Sequence, residues 1–241
     1  MRRSLTYGDE RIDFSIKFRS RTSNRIVIHV NPDGVVIVDV PESTDVGEVM
    51  AAVRRRIRWV WQRLQACHER KRHVLPREYV SGESHFYLGK RYVLKVIESP
   101  SEPQEVKLLR GKLEVKTRNK DAMKVRSLLE AWYRKRAGEY FSRRIANCVA
   151  KAPWLKSTPD FRLLTMRTQW GSCSPKGDLL LNPFLIKAPG PCVDYVIFHE
   201  LCHLKEHNHS ARFYELLGKL LPDWKKWKSE LDELAEHLLN R

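Results

Sequence analysis

The sequence predicts an α+β fold: a β-rich N-terminal region with one helix over residues 1–118, then a mainly helical domain over 119–241 with a small antiparallel sheet. Three observations carry that expectation. The first forty positions read as strands, with strict apolar–polar alternation over Ile12–Phe18 and β-branched runs at Arg25–Val30 and Val35–Val40. Proline–glycine clusters punctuate those runs as turn signals. From Val125 to Cys148 apolar residues recur at i, i+3 and i+4, the period of an amphipathic helix.

Taken in order, Ile12-Asp13-Phe14-Ser15-Ile16-Lys17-Phe18 alternates strictly and reads as a strand. Arg25–Val30 and Val35–Val40 flank Asn31-Pro32-Asp33-Gly34. Proline presets φ there and glycine accepts a positive one, so a hairpin is expected. From about Asp45 to His73 the spacing turns helical, with Val46, Val49, Val53, Ile57, Trp61 and Leu64 on one stripe. Tyr79–Val96 returns to strand, turning at Leu88-Gly89-Lys90-Arg91, and another hairpin is expected around Arg110-Gly111-Lys112. Asn119 or Asp121 caps a long helix that runs to about Ala150. Two strands follow, Arg162–Thr168 and Asp178–Leu181. Gly190-Pro191 then opens a helix, because proline suits the first helical position. Ser210 caps the next helix to Leu221, Pro222 breaks it, and a last helix carries Trp224, Trp227, Leu231, Leu234 and Leu238. No internal repeat is visible.

Composition narrows the class. The chain has 241 residues, 42% of them apolar and 31% charged, which suits a globular protein with a sizeable core. No stretch approaches the ~20 apolar residues of a membrane span, and the N-terminal arginines are followed by no apolar run, so neither a membrane protein nor a signal peptide is expected. Five cysteines, without a CxxC pair, fit reduced thiols and a cytoplasmic location. Lys and Arg number 45 against 29 Asp and Glu, a net charge of +16 that raises encounter rates with polyanions. The densest basic stretch, Arg110 to Arg144, reads either as a solvated helix face or as a DNA- or RNA-contacting surface.

One constellation carries chemistry. His199-Glu200-Leu201-Cys202-His203 is an HExxH motif. On a helix, residues four apart share a face, so both imidazoles can ligate one zinc ion. Glu200 is rotated off that axis, free to take a proton from a water that the metal acidifies. Both intervening residues are apolar, as are Val196, Ile197 and Phe198 before the motif. Two histidines and a carboxylate in an apolar helix are costly to bury without a partner, and a metal removes that cost. A hydrolytic zinc site takes a third protein ligand and keeps one position for water. His207 continues the i+4 series but lies about 12 Å along a straight helix from His199. His209 works if the helix ends first, and Asn208 is expected to end it in the left-handed conformation. His209 is therefore the favoured third ligand, with Glu215, Glu230 or Glu233 as alternatives.

Trp170-Gly171-Ser172-Cys173-Ser174, Leu179-Leu180-Leu181-Asn182, Val196 through Leu204, Asn208-His209-Ser210 and Phe213 together resemble the YgjP-like family of zinc metallopeptidases, which is related to SprT-like proteases. Gly82-Glu83 and Tyr87 to Tyr92 are similar to its N-terminal region. The resemblance implies a zincin-type catalytic domain, one zinc ion on His199, His203 and His209, and Glu200 as general base; it names no substrate, and the HExxH motif with His209 is what makes a protein or peptide substrate the expectation. In such folds an edge strand beside the metal binds extended peptide. Leu163–Trp170 is the candidate strand, with Trp170, Gly171 and Ser172 as substrate-binding residues. Trp170, Tyr195, Tyr214 and Arg212 are all candidates for stabilising an oxyanion. Competing functions remain: a nucleic-acid-associated protein with a structural or vestigial metal, a DNA-recruited protease that uses the basic face for location and zinc for chemistry, and a thiol hydrolase using Cys173. Cys202 reads as a small core residue.

Overall fold

The computed structural model describes residues 1–19, 25–31, 34–72 (backbone alone over 68–72), 76–166, 169–174 and 177–240. Pro32 and Asp33 of the expected turn, His73, and the Thr168 end of an expected strand lie outside those residues. The chain divides into two compact units, Met1–Leu75 and Pro76–Arg241.

In the first unit, β1 (Arg2–Tyr7), β2 (Glu10–Arg19), β3 (Val27–Val30) and β4 (Val36–Pro41) form a sheet of order β1-β2-β4-β3, with β2 and β4 parallel. The alternation that marks β2 sends Ile12, Phe14 and Ile16 to one face. There they meet Val36, Val38 and Val40 of β4, Val49 and Val53 of α1 (Val46–Arg55) and Val60 of α2 (Ile57–Arg72). Polar β1 carries no such pattern and is legible only from its partner, which it joins through Gly8 at φ 59°. The single helix expected here is two. Arg56 leaves the helical region at φ −109°, ψ 10°, and neither glycine nor proline marks the break.

The second unit opens with β5 (Ser84–Tyr87), β6 (Lys90–Glu98), β7 (Glu105–Leu109) and β8 (Lys112–Thr117), of order β5-β6-β8-β7 with β6 and β8 parallel. Both hairpins turn on two residues with positive φ, Leu88-Gly89 and Arg110-Gly111, the geometry that matches the strand twist. The 28-residue α3 (Ala122–Val149) starts where the Asp121 carboxylate accepts the Lys124 N–H at 2.9 Å. Leu94, Leu113 and Val115 of the sheet share one core with Val125, Leu129 and Tyr133 of α3. The boundary expected at 118/119 therefore falls inside this unit, between a sheet and the helix that completes its core.

After α3, β9 (Phe161–Leu163), β10 (Gly171–Cys173) and β11 (Leu179–Leu181) form a sheet of order β10-β11-β9. It is mixed, not antiparallel as expected, because β9 and β11 run parallel. A 3₁₀ turn over Pro183–Lys187 leads into α4 (Gly190–His203), followed by α5 (Ala211–Leu220) and α6 (Trp224–Leu239). No described helix is long and apolar enough to cross a membrane.

Candidate metal centre

The site is built on α4. Pro191 occupies its first turn, where the missing N–H costs nothing. Cys192, Val193, Val196, Ile197, Phe198, Leu201 and Cys202 are all buried. In this apolar rod His199 and His203 keep one half-buried face, and Glu200 is 5% exposed.

The helix ends at His203, earlier than expected and by a different device. Leu204 N–H bonds to Leu201 C=O, and Lys205 and Glu206 N–H both bond to Cys202 C=O, tightening the last turn. Asn208 is not left-handed; the described non-glycine residues with positive φ are Tyr79, Leu88 and Arg110. The chain reverses over Lys205–His209, Ser210 N–H bonds to Asn208 C=O at 2.7 Å, and Ser210 Oγ accepts the Phe213 N–H to cap α5.

That reversal brings His209 back onto α4. One ring nitrogen from each of His199, His203 and His209 lies within 4.8 Å of the others, the only such cluster of potential ligands among the described residues. Glu215, Glu230, Glu233 and His207 are not part of it. His209 Nε2 is 2.9 Å from His199 Nε2. His203 Nδ1 lies 3.2 Å from the Glu206 carbonyl, which orients that ring and leaves Nε2 for the cluster. Phe213, fully buried, is the floor beneath all three rings, its centroid 4.7–4.9 Å from each. Tyr214 stacks between His209 and Trp224.

The electrostatics fit a cation. Burial, reinforced by the neighbouring histidines, lowers His199 to about 3, and burial lowers His203 and His209 as well. Neutral imidazoles present lone pairs, as metal ligation requires. Two such nitrogens at 2.9 Å repel unless a proton or a cation lies between them. Among the described residues nothing hydrogen-bonds the buried His199 Nδ1, so that ring is held by packing and by whatever its Nε2 binds. Burial alone raises Glu200 to about 8.

β10 runs directly beside Glu200. A Cβ on Gly171 would stand 2.7 Å from Glu200 Oε1, so only glycine lets the strand pass this close. A cleft of about 210 Å³ opens here, lined by Gln169, Trp170, Gly171, Tyr195, Val196, His199, Glu200, Leu231 and Asp232. Trp170 and Gly171 thus face it, whereas Ser172 pairs with Leu180 in the sheet and is not among the lining residues. The edge strand against the helix is Gly171–Cys173, not the expected Leu163–Trp170, of which β9 keeps only Leu163. Of the four oxyanion candidates, Trp170 and Tyr195 line the cleft; Tyr214 and Arg212 do not. Burial and the Glu200 charge raise the Cys173 thiol, which keeps it protonated and removes the basis of a thiol nucleophile.

Sequence reasoning assigns no role to Asn182. Fully buried, its side-chain amide donates to the carbonyls of Met166 and Gln169 and accepts from Phe184 N–H, fastening those two residues to the end of β11. An asparagine directly after an apolar strand is the available signal. In the basic stretch, Lys116 pairs with Glu102, Lys120 with Glu98, Arg126 with Glu130, Arg136 with Glu139 and Arg144 with Asp194. Five of the twelve basic residues in that stretch thus have an ion-pair partner within the fold.

Comparison with known proteins places the chain. Residues 24–234 match the YgjP-like, metallopeptidase domain family. The UTP pyrophosphatase of Escherichia coli (strain K12) is 30% identical over 70 residues, which cover 29% of this chain and 42% of that protein. The chain thus spans well under two thirds of that relative's length. The crystal structure of the metallopeptidase zymogen of Pyrococcus abyssi abylysin is similar over 42% of this chain and 95% of its own, at 20% identity and a TM-score of 0.36. With seven-eighths of its length matched to the family, this chain belongs to the YgjP-like metallopeptidases.

Proposed function

We propose that the protein hydrolyses peptide bonds with one zinc ion held by His199, His203 and His209 and with Glu200 as general base. The observation that carries this reading is the convergence of three neutral imidazoles beside a buried carboxylate at the wall of a cleft. Three imidazoles with an open fourth position favour zinc among the divalent metals. Bound there, zinc would supply Lewis acidity, polarising a carbonyl and lowering the pKa of a water towards ~7. Glu200, made more basic by burial, accepts the proton and can return it to the leaving amine. The short edge strand at Gly171–Cys173 offers backbone hydrogen bonds to an extended chain, and Trp170 and Tyr195 flank the reacting position.

Glu200→Gln preserves the shape of the side chain and removes its basicity. It is expected to keep one zinc per chain and to lose about 10²–10⁴-fold in kcat; an unchanged rate would refute the assignment. His199→Ala and His203→Ala are expected to lose the metal itself.

A second reading is hydrolysis of a nucleoside triphosphate, favoured by the 70-residue similarity to the UTP pyrophosphatase. The cleft gives such a substrate little to bind besides the metal: its described lining contains no lysine or arginine to hold the phosphates. Assaying the wild type and Glu200→Gln on a peptide library, and on UTP with pyrophosphate release as readout, separates the two. Cytoplasmic location belongs to the same proposal, as the reducing setting in which five free thiols persist.

A further inference from the structure

A second basic surface lies outside the stretch that stands out by charge density, and its arginines have no ion-pair partner among the described residues. Arg54, Arg55, Arg56, Arg58 and Arg63 are all exposed around the junction of α1 and α2. None forms an ion pair with a described carboxylate, in contrast to Lys116, Lys120, Arg126, Arg136 and Arg144 in the second unit. Arg54 and Arg55 suit the C-terminal end of α1, where cations complement the helix dipole. Arg58 does not: it lies in the first turn of α2, which contains no acidic residue, so its charge opposes the dipole there. Crowding like charges at this point works against folding, and no ion pair among the described residues offsets it.

In the middle of the patch stands Trp59, 39% exposed, with the Arg63 guanidinium 5.8 Å from its ring centroid one helical turn away. An indole flanked by unpaired guanidiniums is a stacking platform set in a phosphate-attracting field. An anionic membrane would want a continuous apolar face, but Val49, Val53 and Val60 are buried in the unit's own core, leaving Trp59 as the exposed large apolar side chain among the described residues of these helices. A duplex, with its bases stacked inside, would use the arginines and leave the indole idle.

We propose that the α1–α2 junction is a binding surface for single-stranded nucleic acid, with Arg54, Arg55, Arg56 and Arg58 contacting phosphates and Trp59, braced by Arg63, stacking on a base. This surface belongs to the first unit and the metal centre to the second, and it does not depend on the hydrolytic reading.

The test is fluorescence anisotropy of a labelled oligothymidylate of about twenty nucleotides, titrated with the full chain at several salt concentrations. Combined Arg54→Ala, Arg55→Ala and Arg58→Ala should weaken binding at least ~10-fold at low salt and flatten the log–log salt slope by about 2, at ~0.7 for each phosphate no longer neutralised. Trp59→Ala should weaken binding by ~5- to 100-fold with the slope unchanged. Combined Lys112→Ala, Arg118→Ala and Lys124→Ala, in the other basic stretch, should bind as wild type. Circular dichroism and urea unfolding establish that each variant is folded. Wild-type binding by the first triple variant, an equal loss in the second, or no effect of Trp59→Ala would overturn the proposal. So would tighter binding to a matched duplex or to phosphatidylserine vesicles than to the oligonucleotide.

Discussion

Phe213 has no chemistry of its own, yet three imidazoles rest on its ring. Removing it should loosen all of them at once. Phe213→Ala is expected to cost about 3–5 kcal/mol of stability and, because the rings lose their support, to weaken the proposed zinc binding about 10–100-fold. Urea unfolding and chelator competition measure the two effects, and Phe213→Leu, which keeps most of the volume, should show a smaller loss in both. The pairing of His199 with His203 is legible in the sequence because four residues make one turn. The approach of His209 depends on a reversal over Lys205–His209 whose hydrogen bonds join backbone to backbone and leave no signature in residue type. Phe213 and Asn182 are visible in the sequence only as part of a family resemblance. Their work, flooring a site and satisfying the carbonyls of Met166 and Gln169, is defined by neighbours far apart in the chain.

Among the elements, β10 is the one whose small size conceals its importance. Three residues are too few for a period of two to be read, so in the sequence Gly171–Cys173 resembles a turn and the longer run before it resembles the strand. The structure reverses that order, and Gly171 shows why. An added methyl would meet Glu200 Oε1 at 2.7 Å and its Cγ at 2.8 Å, so either the strand or the carboxylate must move. On the proposed mechanism, Gly171→Ala should therefore retain the metal and lose about 100-fold in kcat, as expected of a displacement near ~1 Å in a reacting group. A variant with full activity would show that Glu200 need not stand where it does. The long elements are the legible ones. Asp121, Pro191 and Ser210 each begin a helix within a residue of the expected place. The break at Arg56 and the end of α4 escape the sequence, since neither uses glycine, proline or a left-handed residue.

At the scale of the whole chain, the two four-stranded sheets share one plan, with the same strand order and the same single parallel pair. No repeat is visible in the sequence because a strand requires only alternation, which many residue sets satisfy. The α+β class is readable from periodicity; the division at Leu75 is not, because it follows which core Leu94, Leu113 and Val115 join. The second unit should also be acid-sensitive. His85, 2% exposed, is lowered to about 3 by burial and by the charges of Arg77 and Lys187. Between that value and 6.5 the unfolded chain binds a proton that the folded chain refuses, so stability is complete above 6.5 and falls as pH drops through this window. By about pH 4.5 the loss from His85 alone is on the order of 2–3 kcal/mol. Urea midpoints between about pH 7 and about pH 4.5 measure it, and His85→Asn should flatten the slope; a level midpoint in the wild type would contradict it.

The near-complete burial of α4 also decides where natural or laboratory variation can act. Most changes between Cys192 and Cys202 would be felt first as misfolding, so altered selectivity gained under selection should trace to the surrounding loops and the short strand, with the ligand-bearing rod left as it is.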